Sequence, residues 1–282
     1  KNTIDTVLYQ ISYKCKWLMI VAIIQARMSS SRLSGKIMLQ ACKKPLLQHM
    51  IERIQFTETV DKIVIATSTN KNDDVIEDFC KENKILCFRG SENDVLSRYK
   101  MAADMVHADI IVRLTSDTPL LDHIILDKVV GVYTKNKYDY VSNCYPFPRT
   151  YPDGMNVEVF SKKILDEMHY NAKKPSEREH VSLYVVMQPE KYKIYRVDYL
   201  KDVSHYRFNL DYELDYKLIK EIFENLYYEN QHFTMEDILK FLETNSSIFD
   251  INSKIKPYEG ILKSFEDDNK KGFEESKNFF ME

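Results

Sequence analysis

The sequence predicts an α/β domain built on a mixed, mostly parallel sheet. Short β-branched apolar runs alternate with segments of helical period through the first half of the chain, the mark of successive β-α units. Several of these runs open into a polar turn, as strands of such a sheet do at their carboxyl ends. With 282 residues, 44% apolar and 29% charged, the chain can bury a substantial core as one large domain or two small ones.

The apolar run 17–24 follows Lys14 and Lys16, has the size of a signal-peptide core and contains most of the predicted first strand, residues 20–25. Its β-branched second half passes directly into Gln25-Ala26-Arg27, so it reads as a buried strand entering a polar loop. Further strands are predicted at 62–67, 85–88 and 109–115, with helices at 45–56, 73–83 and 94–106 between them. Pro45 suits the first helical position. A helix near 122–135 precedes strands at 138–143 and 155–160, which flank the proline-rich stretch 145–152. Strands at 191–197 and 206–210 and helices at 213–228 and 234–244 complete the pattern. The expected organisation is an N-terminal extension (1–18), one domain (19–265) carrying an inserted substrate or dimer region (144–182), and a charged solvated tail (266–282).

A net charge of −3 and a pI near 6.2 leave no basic field for a nucleic-acid backbone. No nucleic-acid partner is expected, and no run reaches transmembrane length, so no membrane partner is either. Cys15, Cys42, Cys80, Cys87 and Cys144 are odd in number and form no C-x-x-C pair. That excludes a simple disulfide framework or zinc motif and fits a reducing cytoplasm.

The first strand ends in a loop, Gln25 to Lys36, with three cations, four serines and no carboxylate. Arg27 and Arg32 present planar donor forks and Lys36 a point charge, which is the chemistry of a phosphate site. The six glycines form neither G-x-G-x-x-G nor G-x-x-x-x-G-K-[ST], so the dinucleotide and P-loop readings lose support. Asp117, where the strand at 109–115 gives way to a proline-stiffened turn, is a natural Mg²⁺ ligand, and Mg²⁺ commonly needs only one or two protein carboxylates. Asp211 is the candidate second carboxylate and also a candidate helix cap. In the cluster Ser176-Glu177-Arg178-Glu179-His180, Arg178 is ill placed for a helix N-terminus, which favours an anionic ligand over capping alone.

These motifs resemble the cytidylyltransferase-like family of spore-coat polysaccharide biosynthesis, relatives of the CMP-Kdo and CMP-sialic acid synthetases. The resemblance runs through AIIQARMSSSRLSGK (22–36), FRGSENDVLSRY (88–99), VRLTSDTPLLD (112–122), YVSN (140–143), TYPDGMNVEVF (150–160) and PSEREHVS (175–182). It implies a three-layer α/β/α Rossmann-like nucleotidyltransferase fold that transfers a nucleoside monophosphate, CMP from CTP, to a sugar phosphate or acidic sugar and releases pyrophosphate. Catalysis would fall to Arg27, Arg32, Lys36 and Asp117, and metal binding to Asp117 and Asp211 with Mg²⁺ or Mn²⁺. The nucleotide would meet Gln25, Ala26, Ser29, Ser30, Arg113 and Thr115, with Thr67, Ser68, Gly90, Ser91 and Asp94 around the base. Asp153, Glu158, Glu177, Arg178 and His180 would face the small anionic acceptor. A homodimer is also implied. Ser34, Ser116 and Glu213 stand where the family usually has Pro, Gly and Pro.

Two other classes remain at this stage. A glycosyltransferase using a finished nucleotide sugar could share the sheet, but its usual D-x-D is absent at Asp117-Thr118-Pro119. A catalytically silent binding protein of the same pathway could dispense with Lys36 or Asp117, yet both are present.

Overall fold

A computed structural model describes residues 18–256 and 258–273. The predicted extension therefore falls almost wholly outside the described residues, as does the chain beyond 273.

Strand β1 (Ile20–Gln25) leads through a 3-10 turn at Lys36–Met38 into a small hairpin, β2 (Gln40–Ala41) and β3 (Lys44–Pro45), and then α1 (Leu46–Gln55). Pro45 is not the first helical residue: it pairs with Gln40 in that hairpin and caps the helix from an extended conformation. β4 (Lys62–Ser68), α2 (Asp74–Glu82), β5 (Leu86–Gly90), α3 (Val95–Met105), β6 (Ile110–Thr115) and α4 (His123–Lys135) follow within a few residues of expectation. Next come β7 (Tyr140–Ser142), β8 (Glu158–Ser161), α5 (Lys162–Asn171), α6 (Pro175–His180), α7 (Leu183–Val186) and β9 (Ile194–Arg196). The last elements are α8 (Glu213–Leu226), α9 (Met235–Thr244), α10 (Ser246–Phe249) and α11 (Glu259–Lys270).

Among the described residues the main sheet has seven strands in the order β5-β4-β1-β6-β8-β7-β9. Only β8 runs antiparallel to its neighbours, so the sheet is mixed and mostly parallel. Alternation along β1 sends Val21 and Ile23 into one core and Ala22 and Ile24 into the other. The core of Ala22 and Ile24 takes α1, α4, α8 and α9, and that of Val21 and Ile23 takes α3 and α5. Helices thus cover both faces, which is why the strands are apolar throughout.

Strand β8, which belongs to the segment 144–182 expected as an inserted region, lies inside the sheet between β6 and β7. Two expectations need correction. Residues 206–210 form no strand, only an isolated bridge between Asp153 and Arg207. The apolar helix expected after Ser176 breaks at Val181 (φ 56), and the break lets the Ser182 hydroxyl donate to Glu158.

Candidate active site

The carboxyl ends of β1 and β6 open into a cleft of about 490 Å³. Among the described residues nine arginines and lysines line it against seven aspartates and glutamates, so the surplus charge favours an anion.

The β1 loop is folded back on itself by the Met28 carbonyl, which accepts from Ser30 N–H (2.9 Å) and Gly35 N–H (3.0 Å). Gly35 sits at φ 66, a conformation that costs a side-chain-bearing residue more, and the chain after it buries Lys36. From the β6 turn, Asp117 is tied to a distant segment because its carbonyl accepts from Leu210 N–H at 2.8 Å. That bond brings Asp211 alongside.

Lys36 joins the two aspartates, its Nζ lying 3.2 Å from Asp117 Oδ2 and 2.8 Å from Asp211 Oδ1. Arg32 Nη2 reaches the same Asp211 oxygen at 2.7 Å. Burial alone would raise the Asp211 carboxyl, but Lys36 and Arg32 outweigh it and hold the group well below the ordinary carboxylate range. Burial likewise opposes the charge on Lys36, and Asp117 and Asp211 more than compensate, so the amine stays protonated. Arg27, exposed at the rim, has no ion pair among the described residues.

The low Asp211 value carries a prediction. A carboxyl more acidic in the folded than in the unfolded chain stabilises the fold above its unfolded pKa, about 3.9. That contribution disappears as pH falls through the depressed folded value. Urea unfolding of Asp211→Asn is therefore expected to depend less on pH between neutrality and pH 3 than wild type; equal slopes would refute the assignment.

The same segment contributes Arg207. Its guanidinium contacts Asp215 at 3.0 and 3.1 Å, Asp211 at 3.2 Å and Asp153 at 3.2 Å. Arg149 takes the other Asp153 oxygen at 3.0 Å. Deeper, Arg113 pairs with Glu158, which also accepts from Tyr140 (2.7 Å) and Ser182. Helix α11 closes the far wall. The buried Asp268 accepts from Ser176 N–H (3.0 Å) and its hydroxyl (2.5 Å), Ser264 bonds His180 Nε2 at 2.9 Å, and Glu259 accepts from Tyr212. Burial lowers the His180 pKa, which keeps the imidazole neutral near pH 7.

A magnesium ion fits this donor set. Asp117 Oδ1 is buried without a hydrogen-bond partner, and Mg²⁺ needs only one or two carboxylates beside phosphate oxygens. Among the described residues no cluster of three or more His, Cys, Asp or Glu gathers to hold a metal, in this cleft or outside it, so two carboxylates are what the site offers.

A family model described as cytidylyltransferase matches residues 21–271. The chain belongs to the cytidylyltransferase family. Family membership makes it a nucleotidyltransferase. The structure of a cytidylyltransferase from Leptospira borgpetersenii serovar Hardjo-bovis is 35% identical with a TM-score of 0.79, over 86% of this chain and 99% of that one. The spore coat polysaccharide biosynthesis protein SpsF of Bacillus subtilis is 32% identical over 217 residues, 73% of this chain and 86% of its own length. A CMP:2-keto-3-deoxy-manno-octonic acid synthetase, solved in complex with CTP, shares the fold at 16% identity and a TM-score of 0.55, over 72% of this chain and 98% of that one.

Of the residues expected at the site of this cytidylyltransferase, Gln25, Ala26, Arg27, Ser30, Arg32, Lys36, Arg113, Thr115, Asp117, Asp153, Glu158, His180 and Asp211 line the cleft. Eight others do not, each for a definite reason. Ser29 donates to Glu92 at 2.8 Å. Thr67 and Ser68 are fully buried, and the Ser68 hydroxyl donates to Asp73. Gly90 packs beneath Arg98, and Ser91 accepts from Asp94 N–H at 3.2 Å. Asp94 caps α3 and pairs with Arg178, whose Nε and Nη2 lie 3.0 and 2.5 Å from it. Glu177 accepts from the Lys173 and Lys174 N–H groups, so the capping account of that residue prevails.

The cytidylyltransferase cleft also holds residues that the sequence did not flag: Arg98, Arg149, Arg207, Tyr258 and Lys263. The family match to 271 and the packing of α11 move the domain boundary past 265. The buried positions Ile261, Ser264 and Asp268 recur at helical spacing, but two of the three are polar and leave no apolar stripe.

Proposed function

We propose that the enzyme transfers the cytidylyl group of CTP to an acidic sugar and releases pyrophosphate, in the synthesis of a surface polysaccharide or related glycan. The observation that carries this reading is the junction of Lys36, Arg32, Asp117 and Asp211 at the mouth of a cation-rich cleft. Family membership and the CTP-bound relative of the same fold support the choice of donor. SpsF supports the choice of pathway.

An acceptor oxygen attacks the α-phosphorus, the bond to the bridging oxygen breaks, and the pair of electrons leaves with pyrophosphate. Arg27, Arg32 and Lys36 bind the triphosphate and neutralise charge that grows on its oxygens. Asp117 and Asp211 would hold Mg²⁺, or Mn²⁺ in its place, which supplies further neutralisation of phosphoryl oxygens when bound. Asp153, held from both sides by Arg149 and Arg207, is fixed at the acceptor end. A sugar hydroxyl must lose a proton as it attacks, and the neutral His180 on that wall is the group available to take it. Because Glu158 is engaged by Arg113, Tyr140 and Ser182, its part is to orient Arg113. A homodimer formed through residues 144–182 belongs to the same proposal, and light scattering that returns a monomer at working concentration would remove it.

The test is pyrophosphate release from each of the four nucleoside triphosphates with pools of 2-keto sugar acids and sugar phosphates, with Asp117→Ala as the control. Release from CTP with a sugar acid, lost in the variant, is the expected result. Cleavage of nucleotide sugars without pyrophosphate release would replace this reading with glycosyl transfer.

A further inference from the structure

Arg98 is 2% exposed, yet it lines the cleft. Its Nη1 donates to the carbonyls of Ser91 (3.1 Å) and Glu92 (3.4 Å), and its Nε is buried with no partner. Nη2 makes no hydrogen bond, and no carboxylate forms an ion pair with this guanidinium among the described residues. Burial pulls its pKa down. A cation in this position costs free energy unless something satisfies it.

The surroundings indicate what that partner is. Lys36, Arg32 and the two aspartates gather where β1 meets β6, whereas Arg98 approaches from the β5 side of β1. The cleft lining includes Ala26 and Val95, both apolar and nearly buried, and the charges that act on Arg98 are those of Arg27, Asp73 and Glu92. Small apolar lining residues and one free donor, set apart from the Lys36 junction, suit the edge and face of a heterocycle. The seat for the side chain is cut to fit: a Cβ on Gly90 would come within 3.1 Å of Arg98 Cγ and 2.9 Å of the Phe88 ring.

We propose that Arg98 binds the nucleotide by donating through its free Nη2 to a ring carbonyl of the pyrimidine base. Its Nη1 meanwhile stays on the Ser91 and Glu92 carbonyls, which hold the guanidinium in place. The inference rests on the cleft's assignment to a nucleoside triphosphate. It adds a recognition element that reads the ring rather than the phosphates. Cytosine and uracil both carry such a carbonyl, and adenine does not.

The test is equilibrium binding, which needs no acceptor. Isothermal titration of CTP into Arg98→Met is expected to show roughly a ten- to hundredfold weaker affinity than wild type, the usual range for one lost hydrogen bond to a charged group. Inorganic tripolyphosphate, measured by competition, is expected to bind both proteins within about twofold of each other, since a charge-assisted bond to the ring is absent from it. Unchanged CTP affinity overturns the proposal, and so does an equal loss for tripolyphosphate, which would make Arg98 a phosphate contact. Failure of wild type to bind CTP would overturn the functional reading itself and is distinguishable from both. Arg98→Lys, which keeps the charge but loses the fork, is measured alongside with thermal unfolding of every variant, and it carries the comparison if the methionine protein does not fold.

Discussion

Lys36→Met is expected to lower kcat/KM for CTP-dependent pyrophosphate release by roughly a hundred- to thousandfold, the usual cost of losing one preorganised charge at a phosphoryl or acyl centre. The ammonium does two jobs. It is a cation at the triphosphate loop, and it separates two carboxylates that would otherwise face each other in a buried setting. Without it the two carboxylates repel, and Asp211 loses one of the two cations that hold its carboxyl low. The pH profile of the remaining activity should therefore move towards higher pH on its acid limb. Steady-state kinetics across pH 5 to 9, with circular dichroism as a folding control, read both effects. A variant with less than a tenfold loss and an unchanged profile would remove Lys36 from the chemistry.

Arg207→Met is expected to destabilise the fold by about 3–5 kcal/mol, because breaking a buried ion pair leaves uncompensated charge. The surroundings make this an extreme case. One guanidinium answers Asp153, Asp211 and Asp215, and Asp215 is fully buried while also accepting from the N–H groups of Asp211 and Tyr212 and from Asn252. Adding Asp215→Asn to the variant removes the carboxylate least able to reach solvent, and the double variant is expected to recover part of the loss. Urea unfolding of the three proteins measures this. A single-variant loss below about 1 kcal/mol, the level of an exposed pair, would show that solvent rather than Arg207 satisfies the three carboxylates.

Much of this architecture could be read from the chain, because both the strands and the anion loop are local features. Residues 20–25 and 109–115 announce themselves by β-branched runs buried on both faces, and the cationic loop announces itself by having no carboxylate within it. The meeting of Asp117 with Asp211 was legible as two strand-end acids, although Lys36 as their bridge was not, being 175 residues from Asp211. Long-range pairing explains the errors as well. Arg178 was read as a free fork at a helix start, but its carboxylate, Asp94, lies 84 residues away. Glu177 had two locally valid roles, and backbone N–H groups three and four residues before it claimed the side chain. Helix α11 was hidden by its own composition, since its buried face includes Ser264 and Asp268 rather than an apolar stripe.

Helix α11 gives the two sides of the cleft separate origins in the chain. The anion loop and its strands are encoded before residue 118, whereas the opposite wall joins Asp153, His180 and Arg207 to residues after 255. Because Asp268 and Ser264 of that helix hold Ser176 and His180, a change in α11 reshapes this wall together with its partners while the loop of Arg27, Arg32 and Lys36 is left as it is.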